Sequence, residues 1–184
     1  MMPFLKCSRI FKEIIEVHVP YEFIIREFWT NATVECQFTP LEIHSIVQKK
    51  KVIIIEALIR EVQDFKDSPN DPVKLDEKLV KGCFQKMGYN GYINATSYAK
   101  SYVSRPYKFL IHVVIQCLGH IKVDYDIALD YLVSAIVALC WNLQFNFSTM
   151  FLSNMKSNIC DTGWLMYPRF LQLVNDNQHK DLEK

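Results

Sequence analysis

Two stretches in the second half of this 184-residue chain are apolar except along one narrow line. In residues 107–118 the polar side chains are Lys108, His112 and Gln116, each four apart; in 127–141 they are Asp130 and Ser134, with Asp126 just upstream. A four-residue polar repeat in an otherwise apolar run fits a helix covered on nearly every side. Such helices need neighbours to cover them, so this pair dictates a helical core. Burying both against amphipathic partners removes on the order of a thousand Å² of apolar surface, roughly 25 kcal/mol before chain entropy opposes it. The run IALDYLVSAIVALCW at 127–141 is shorter than the ~20 residues of a membrane span and contains Asp130, so a buried helix is expected there.

The covering elements are legible upstream. Ile10, Phe11, Ile14 and Ile15 share a helical face within a short N-terminal extension over 1–20. Pro20 then restarts the chain, and Tyr21, Ile24, Ile25 and Phe28 form a second stripe. The period changes at 32–38, where Ala32, Val34, Cys36 and Phe38 alternate with Thr33, Glu35 and Gln37. That alternation predicts a half-buried strand. Strands at 43–47 and 52–55 follow, and the three make a small antiparallel meander near 32–55. Its second turn, around Gln48-Lys49-Lys50-Lys51, has no glycine or asparagine. Residues 56–65 return to helix. Asp71-Pro72 reads as an N-cap followed by proline, opening a helix with Leu79, Val80, Cys83, Phe84 and Met87 on one face. Shorter helices are expected at 147–155 and 168–174, and a polar tail at 179–184. The expectation is thus an α+β, predominantly α-helical chain: one domain over 21–178, without repeats or low-complexity tracts.

With half of its residues hydrophobic and 22% charged, the chain can fill a core. Its net charge of +1 supplies no global field toward nucleic acid or an anionic membrane. The six cysteines include no CxxC pair, so structural zinc is not expected, and Cys117 and Cys140 sit in apolar runs as small hydrophobes. The opening MMPFLKCSRIFKEII lacks the apolar region and cleavage site of a secretory signal. An intracellular location, cytoplasmic or nuclear, is therefore expected, and the acceptor-like triplets at Asn31, Asn94 and Asn146 carry no weight.

Catalytic constellations are weak. Asp161-Thr162-Gly163 matches the aspartic-protease triplet, but that chemistry needs two carboxylates on loops between β-strands, and about twenty residues remain after it. A glycine turn between helices is the plainer reading. The five histidines form no HxxxH or HExxH spacing; His112 reads as a half-buried, satisfied side chain, and His120 as a helix-end cation. No phosphate loop or nucleophile elbow is present, so no enzyme, metal or cofactor is expected. Lys49, Lys50 and Lys51 form the densest basic run and are the candidate nucleic-acid contact, although Glu42 and Glu56 flank them. Phe145, Phe147, Phe151, Trp164, Tyr167 and Phe170 fit a core better than an interface.

EFWTNATVE at 27–35, KKVIIIEALIREVQDF at 50–65, KGCFQKMGYNG at 81–91, FNFS at 145–148 and MYPRFLQ at 166–172 together resemble a plant transposon-protein family. The likeness spans most of 21–178. That family occupies a gag-like position near the start of plant LTR-retrotransposon reading frames, and it brings no catalytic residues to carry over. The resemblance implies a non-enzymatic structural or interaction module that self-associates; nucleic-acid binding is the alternative that the Lys49–Lys51 run itself offers, and a remnant protease at Asp161, in a loop that varies within the family, is a weaker one. The chain departs from the pattern in three places. Its hairpin turn reads Gln48-Lys49-Lys50 where Asp-Gly-Lys is usual, and Tyr107 stands where tryptophan is common. It also ends at Lys184 without protease or polymerase regions, as a truncated copy would.

Overall fold

The computed structural model describes residues 21–35, 41–91, 97–118, 127–161 and 165–178. The expected N-terminal helix, the second half of the first strand, Thr162, Gly163, Trp164 and the tail lie outside the described residues. The protein is a predominantly helical α+β chain, with seven α-helices and a three-stranded antiparallel sheet among the described residues. It divides into two compact units, one made of Met1–Lys66 and Phe151–Lys184, the other of Asp67–Met150. No described helix is long and apolar enough to cross a membrane.

In the first unit, helix α1 (Glu22–Asn31) buries Ile24, Ile25, Phe28 and Trp29, as the stripe requires. Tyr21 precedes its first turn in extended backbone and keeps its ring exposed, so it leaves the predicted face. Strands β1 (Thr33–Glu35), β2 (Glu42–Val47) and β3 (Lys50–Ile54) pair in order, with Val34 opposite Ile43 and Ser45 opposite Val52. Ile43, Ser45, Val47, Val52 and Ile54 form the buried face. Ser45 donates its hydroxyl to the Phe28 carbonyl at 2.7 Å, fastening α1 to that face. The second turn is only two residues, because Lys50 and Lys51 already belong to β3. Gln48 and Lys49 are both left-handed, at φ 49° and 64°, the twist a two-residue hairpin needs. Ile55 is extended and precedes α2 (Glu56–Gln63) instead of ending the strand.

Helix α6 (Phe147–Asp161), from Phe151 onward, and α7 (Pro168–Gln178) complete this unit, both longer than their apolar stripes suggest. Phe151 stacks on Tyr167 at 3.7 Å and meets Phe170 edge-on at 5.1 Å. Those three aromatics are core, as expected. Trp29 donates its indole N–H to the Met166 carbonyl at 3.0 Å, so the buried ring leaves no orphan donor.

The second unit holds α3 (Glu77–Lys86), α4 (Arg105–Leu118) and α5 (Asp130–Trp141). From Leu132 to Leu139 every residue of α5 is buried, the central helix its narrow polar line foretells. Within that line the buried Ser134 hydroxyl is put to use, accepting the Leu75 N–H at 3.2 Å. The start of the apolar run is strand, however. β5 (Ile127–Leu129) pairs antiparallel with β4 (Ser97–Ala99), and a short 3-10 turn over Lys100–Tyr102 leads into α4.

The α3 N-cap is also corrected. Asp76, not Asp71, accepts the Lys78 and Leu79 amides, at 2.9 and 3.1 Å. Asp71 instead accepts the Ser68 amide at 2.8 Å within a tight turn, and the Pro72 carbonyl accepts the Asn146 N–H at 3.0 Å. Three helices close alike, with a left-handed residue after the last turn: Asp64 after α2, Gly88 after α3 and Asn142 after α5. In each, the next N–H reaches back five residues: Phe65 to Arg60, Tyr89 to Phe84 and Leu143 to Ala138.

Candidate functional site

Among the described residues, several reactive side chains are occupied in holding the fold. Asp67, only 8% exposed, accepts the Ser148 N–H at 2.7 Å and its hydroxyl at 3.0 Å. Asn146 accepts the Thr149 N–H at 2.8 Å. Both cap the α6 N-terminus, where orphan amides and the helix dipole favour an oxygen acceptor. The FNFS segment thereby supplies a cap, two buried rings and an anchored hydroxyl. Burial pushes the Cys140 thiol up to about 12, with Cys83 nearby adding to it. Cys83 is raised as well, chiefly by burial and partly opposed by Lys86. A thiol so raised is a poor nucleophile. Cys83, Cys117, Cys140 and Cys160 carry free thiols.

His112 is half-buried, with its Nδ1 3.1 Å from the Lys100 amine. Asp161 is the last residue of α6, whereas a protease carboxylate sits on a loop between strands. Among the described residues no group of three His, Cys, Asp or Glu side chains is arranged to hold a metal ion. A cavity of about 10 Å³ in the first unit, lined by Ile24, Phe28, Val47, Val52 and Asn175 among others, has room for roughly one water molecule. That cavity is far smaller than the several hundred Å³ a ligand pocket takes.

Lys49, Lys50 and Lys51 do not gather into one patch. The strand period puts Lys51 opposite Ile46 on the outer face of the sheet and Lys50 opposite Val47 on the inner one. Lys49 stands at the exposed turn, where the Glu27 carboxylate accepts the Gln48 N–H at 3.1 Å. Lysines along an edge strand also have a structural use, since they deter pairing with another strand.

Among the described residues, two surfaces combine exposed apolar side chains with several charged ones. The outer face of the β1–β3 sheet carries Glu35 and Glu42 at one end, with His44 between them at 2.9 and 2.8 Å. Ile46 (55% exposed) and Ile53 (36% exposed) lie farther along, and Lys51 and Lys49 mark the turn end. In the second unit, the 3-10 turn and α4 present Tyr102, Arg105 and Phe109 to solvent, with Lys108 and His112 half-exposed. Tyr102 is held by a chain of rings: Phe84 to Tyr98 at 4.3 Å, Tyr98 to Tyr89 at 5.3 Å and Tyr89 to Tyr102 at 5.9 Å. This second surface escapes a motif search because Tyr102, on the 3-10 turn, joins the α4 side chains only through the fold.

Comparison with known proteins gives no match to a family model, a curated protein or a solved structure.

Proposed function

We propose that this chain is a non-enzymatic, gag-like interaction module of retrotransposon origin that associates with a second copy of itself through the outer face of its three-stranded sheet. The observation that carries this reading is the polarity of that face. Glutamates stand at one end, lysines at the other, and two exposed isoleucines lie between. A two-fold axis through such a face lays the lysine end of one copy over the glutamate end of the other and buries isoleucine against isoleucine. The family resemblance, with its gag-like position, supplies the origin.

Size-exclusion chromatography with light scattering tests this. The expected result is a mass that rises toward the dimer with concentration, and that returns to the monomer in Ile46→Asp/Ile53→Asp with an unchanged circular-dichroism spectrum. A wild-type chain that stays monomeric throughout, or a double variant that associates equally well, overturns the reading.

A second reading, nucleic-acid binding through Lys49–Lys51, has the exposure of Lys49 and Lys51 in its favour. The inward side of Lys50 and the carboxylate at the Gln48 amide weaken it.

A further inference from the structure

Between residues 78 and 123 the sequence holds seven Lys or Arg and not one Asp or Glu. At the chain's own frequency, 20 acidic residues in 184, that stretch would contain about five. A net charge near zero for the whole chain therefore conceals a strongly one-signed segment. Folding concentrates part of it. The Ser104 N–H bonds the Met87 carbonyl at 3.0 Å, which sets the end of α3, with Lys86, beside the start of α4. Lys100 reaches His112 across the exposed side of α4. Arg105, Phe109, His112 and Gln116 follow one another along that side at helical spacing, and Lys108 edges it. Among the described residues no carboxylate pairs with Lys86, Arg105 or Lys108, whereas Lys81 is engaged by Glu77 at 2.6 Å.

Exposed aromatics stand within this basic field. Tyr102 is 50% exposed and Phe109 48%. Tyr102 packs edge-on against the ring chain that runs in from the surface to the buried Phe84. A basic track interleaved with exposed rings is the chemistry that holds an unpaired nucleic-acid strand: phosphates on the cations, bases stacked on the rings. A duplex hides its base faces and cannot use the rings.

We infer that the 3-10 turn and α4 form a binding surface for single-stranded nucleic acid, with Lys100, Arg105 and Lys108 on the phosphates and Tyr102 and Phe109 under the bases. The site lies in a different unit from the sheet face and does not depend on self-association.

Fluorescence anisotropy of the full chain with a labelled oligouridylate of about 15 nucleotides, titrated at several salt concentrations, tests the assignment. The expected result is salt-dependent binding that exceeds binding to a duplex of equal length. Arg105→Ala/Lys108→Ala should flatten the slope of log K against log salt by about 1–1.5, close to 0.7 per lost phosphate contact. Phe109→Ala should weaken binding by about 5- to 150-fold and leave the slope unchanged, as loss of one stacked base predicts. Lys49→Ala/Lys51→Ala should leave both intact. Unfolding midpoints near wild type confirm that the variants fold, since all these side chains are at least partly exposed. Salt-independent binding, equal affinity for the duplex, or loss confined to Lys49→Ala/Lys51→Ala overturns the assignment. So does binding to phosphatidylserine vesicles that the oligonucleotide fails to compete away.

Discussion

The β2–β3 turn offers a sharp test of local reasoning. Gln48 and Lys49 both occupy the left-handed region, at φ 49° and 64°, and neither is a residue that tolerates it well. An L-residue with a Cβ loses roughly 1–2 kcal/mol there. Glycine escapes that cost but gives back about 0.5–1 kcal/mol through the freedom of the unfolded chain. Replacing Gln48-Lys49 by Asn-Gly, the pair favoured in such turns, should therefore stabilise the protein by about 1 kcal/mol. Thermal unfolding followed by circular dichroism reads the gain, and its size carries a second message. A midpoint rise of about 2–4 °C fits a chain of this length melting as one transition, and about 4–8 °C fits the hairpin's own unit melting separately. Lys49→Ala keeps the strained backbone and removes the charge, so it should move the midpoint by under about half as much. A turn variant that melts no higher than wild type, or a Lys49→Ala that gains equally, refutes the argument.

Removing the Asp67 carboxylate leaves the buried Ser148 amide and hydroxyl without an acceptor. Asp67→Ala should lower stability by about 2–4 kcal/mol in urea titration, with Asp67→Asn between it and wild type. At Gly91 a Cβ would stand 2.7 Å from Tyr102 Cδ2 and from Tyr89 Oη. Gly91→Ala should accordingly lower the melting midpoint and alter the near-ultraviolet tyrosine signal, because Tyr89 is buried and cannot swing clear. Cys140, held near 12 by burial, is thiolate in only about one molecule in ten thousand at pH 8, so native alkylation should reach the exposed Cys160 well before Cys140. For the same reason the Cys140 contribution to stability is present below pH 9 and lost as pH rises toward 12. Mass-mapped labelling that modifies Cys140 as fast as Cys160 contradicts this.

The elements that the sequence reveals are those whose pattern repeats within one segment. The four-residue polar lines foretell the buried run in α5, and the strand candidates at 43–47 and 52–55 match β2 and β3 to within two residues. What escapes is whatever depends on a distant partner. β5 reads as the start of a helix because three apolar residues, 127–129, continue an apolar run; their strand character comes from pairing with Ser97–Ala99, some thirty residues earlier. The Asp71-Pro72 cap is a reasonable local reading overridden by distant contacts: Asp71 closes its own turn, and Pro72 is held by Asn146. The division into two units is only half marked in composition, since the chain enters the second unit at the polar, proline-bearing segment 67–72 but leaves it inside a helix. The basic run of three lysines draws the eye, yet the strand period splits it. The acid-free stretch from 78 to 123 is visible in the letters, but only the placement of the 3-10 turn against α4 turns it into a surface.

Hydrogen–deuterium exchange of the full chain, with and without saturating oligouridylate, most directly tests the assignment of the 3-10 turn and α4 as the binding surface. Exchange should slow in the 3-10 turn and the first turns of α4, with α5 unchanged. Protection confined to the hairpin around Gln48 and Lys49, or none anywhere, contradicts it.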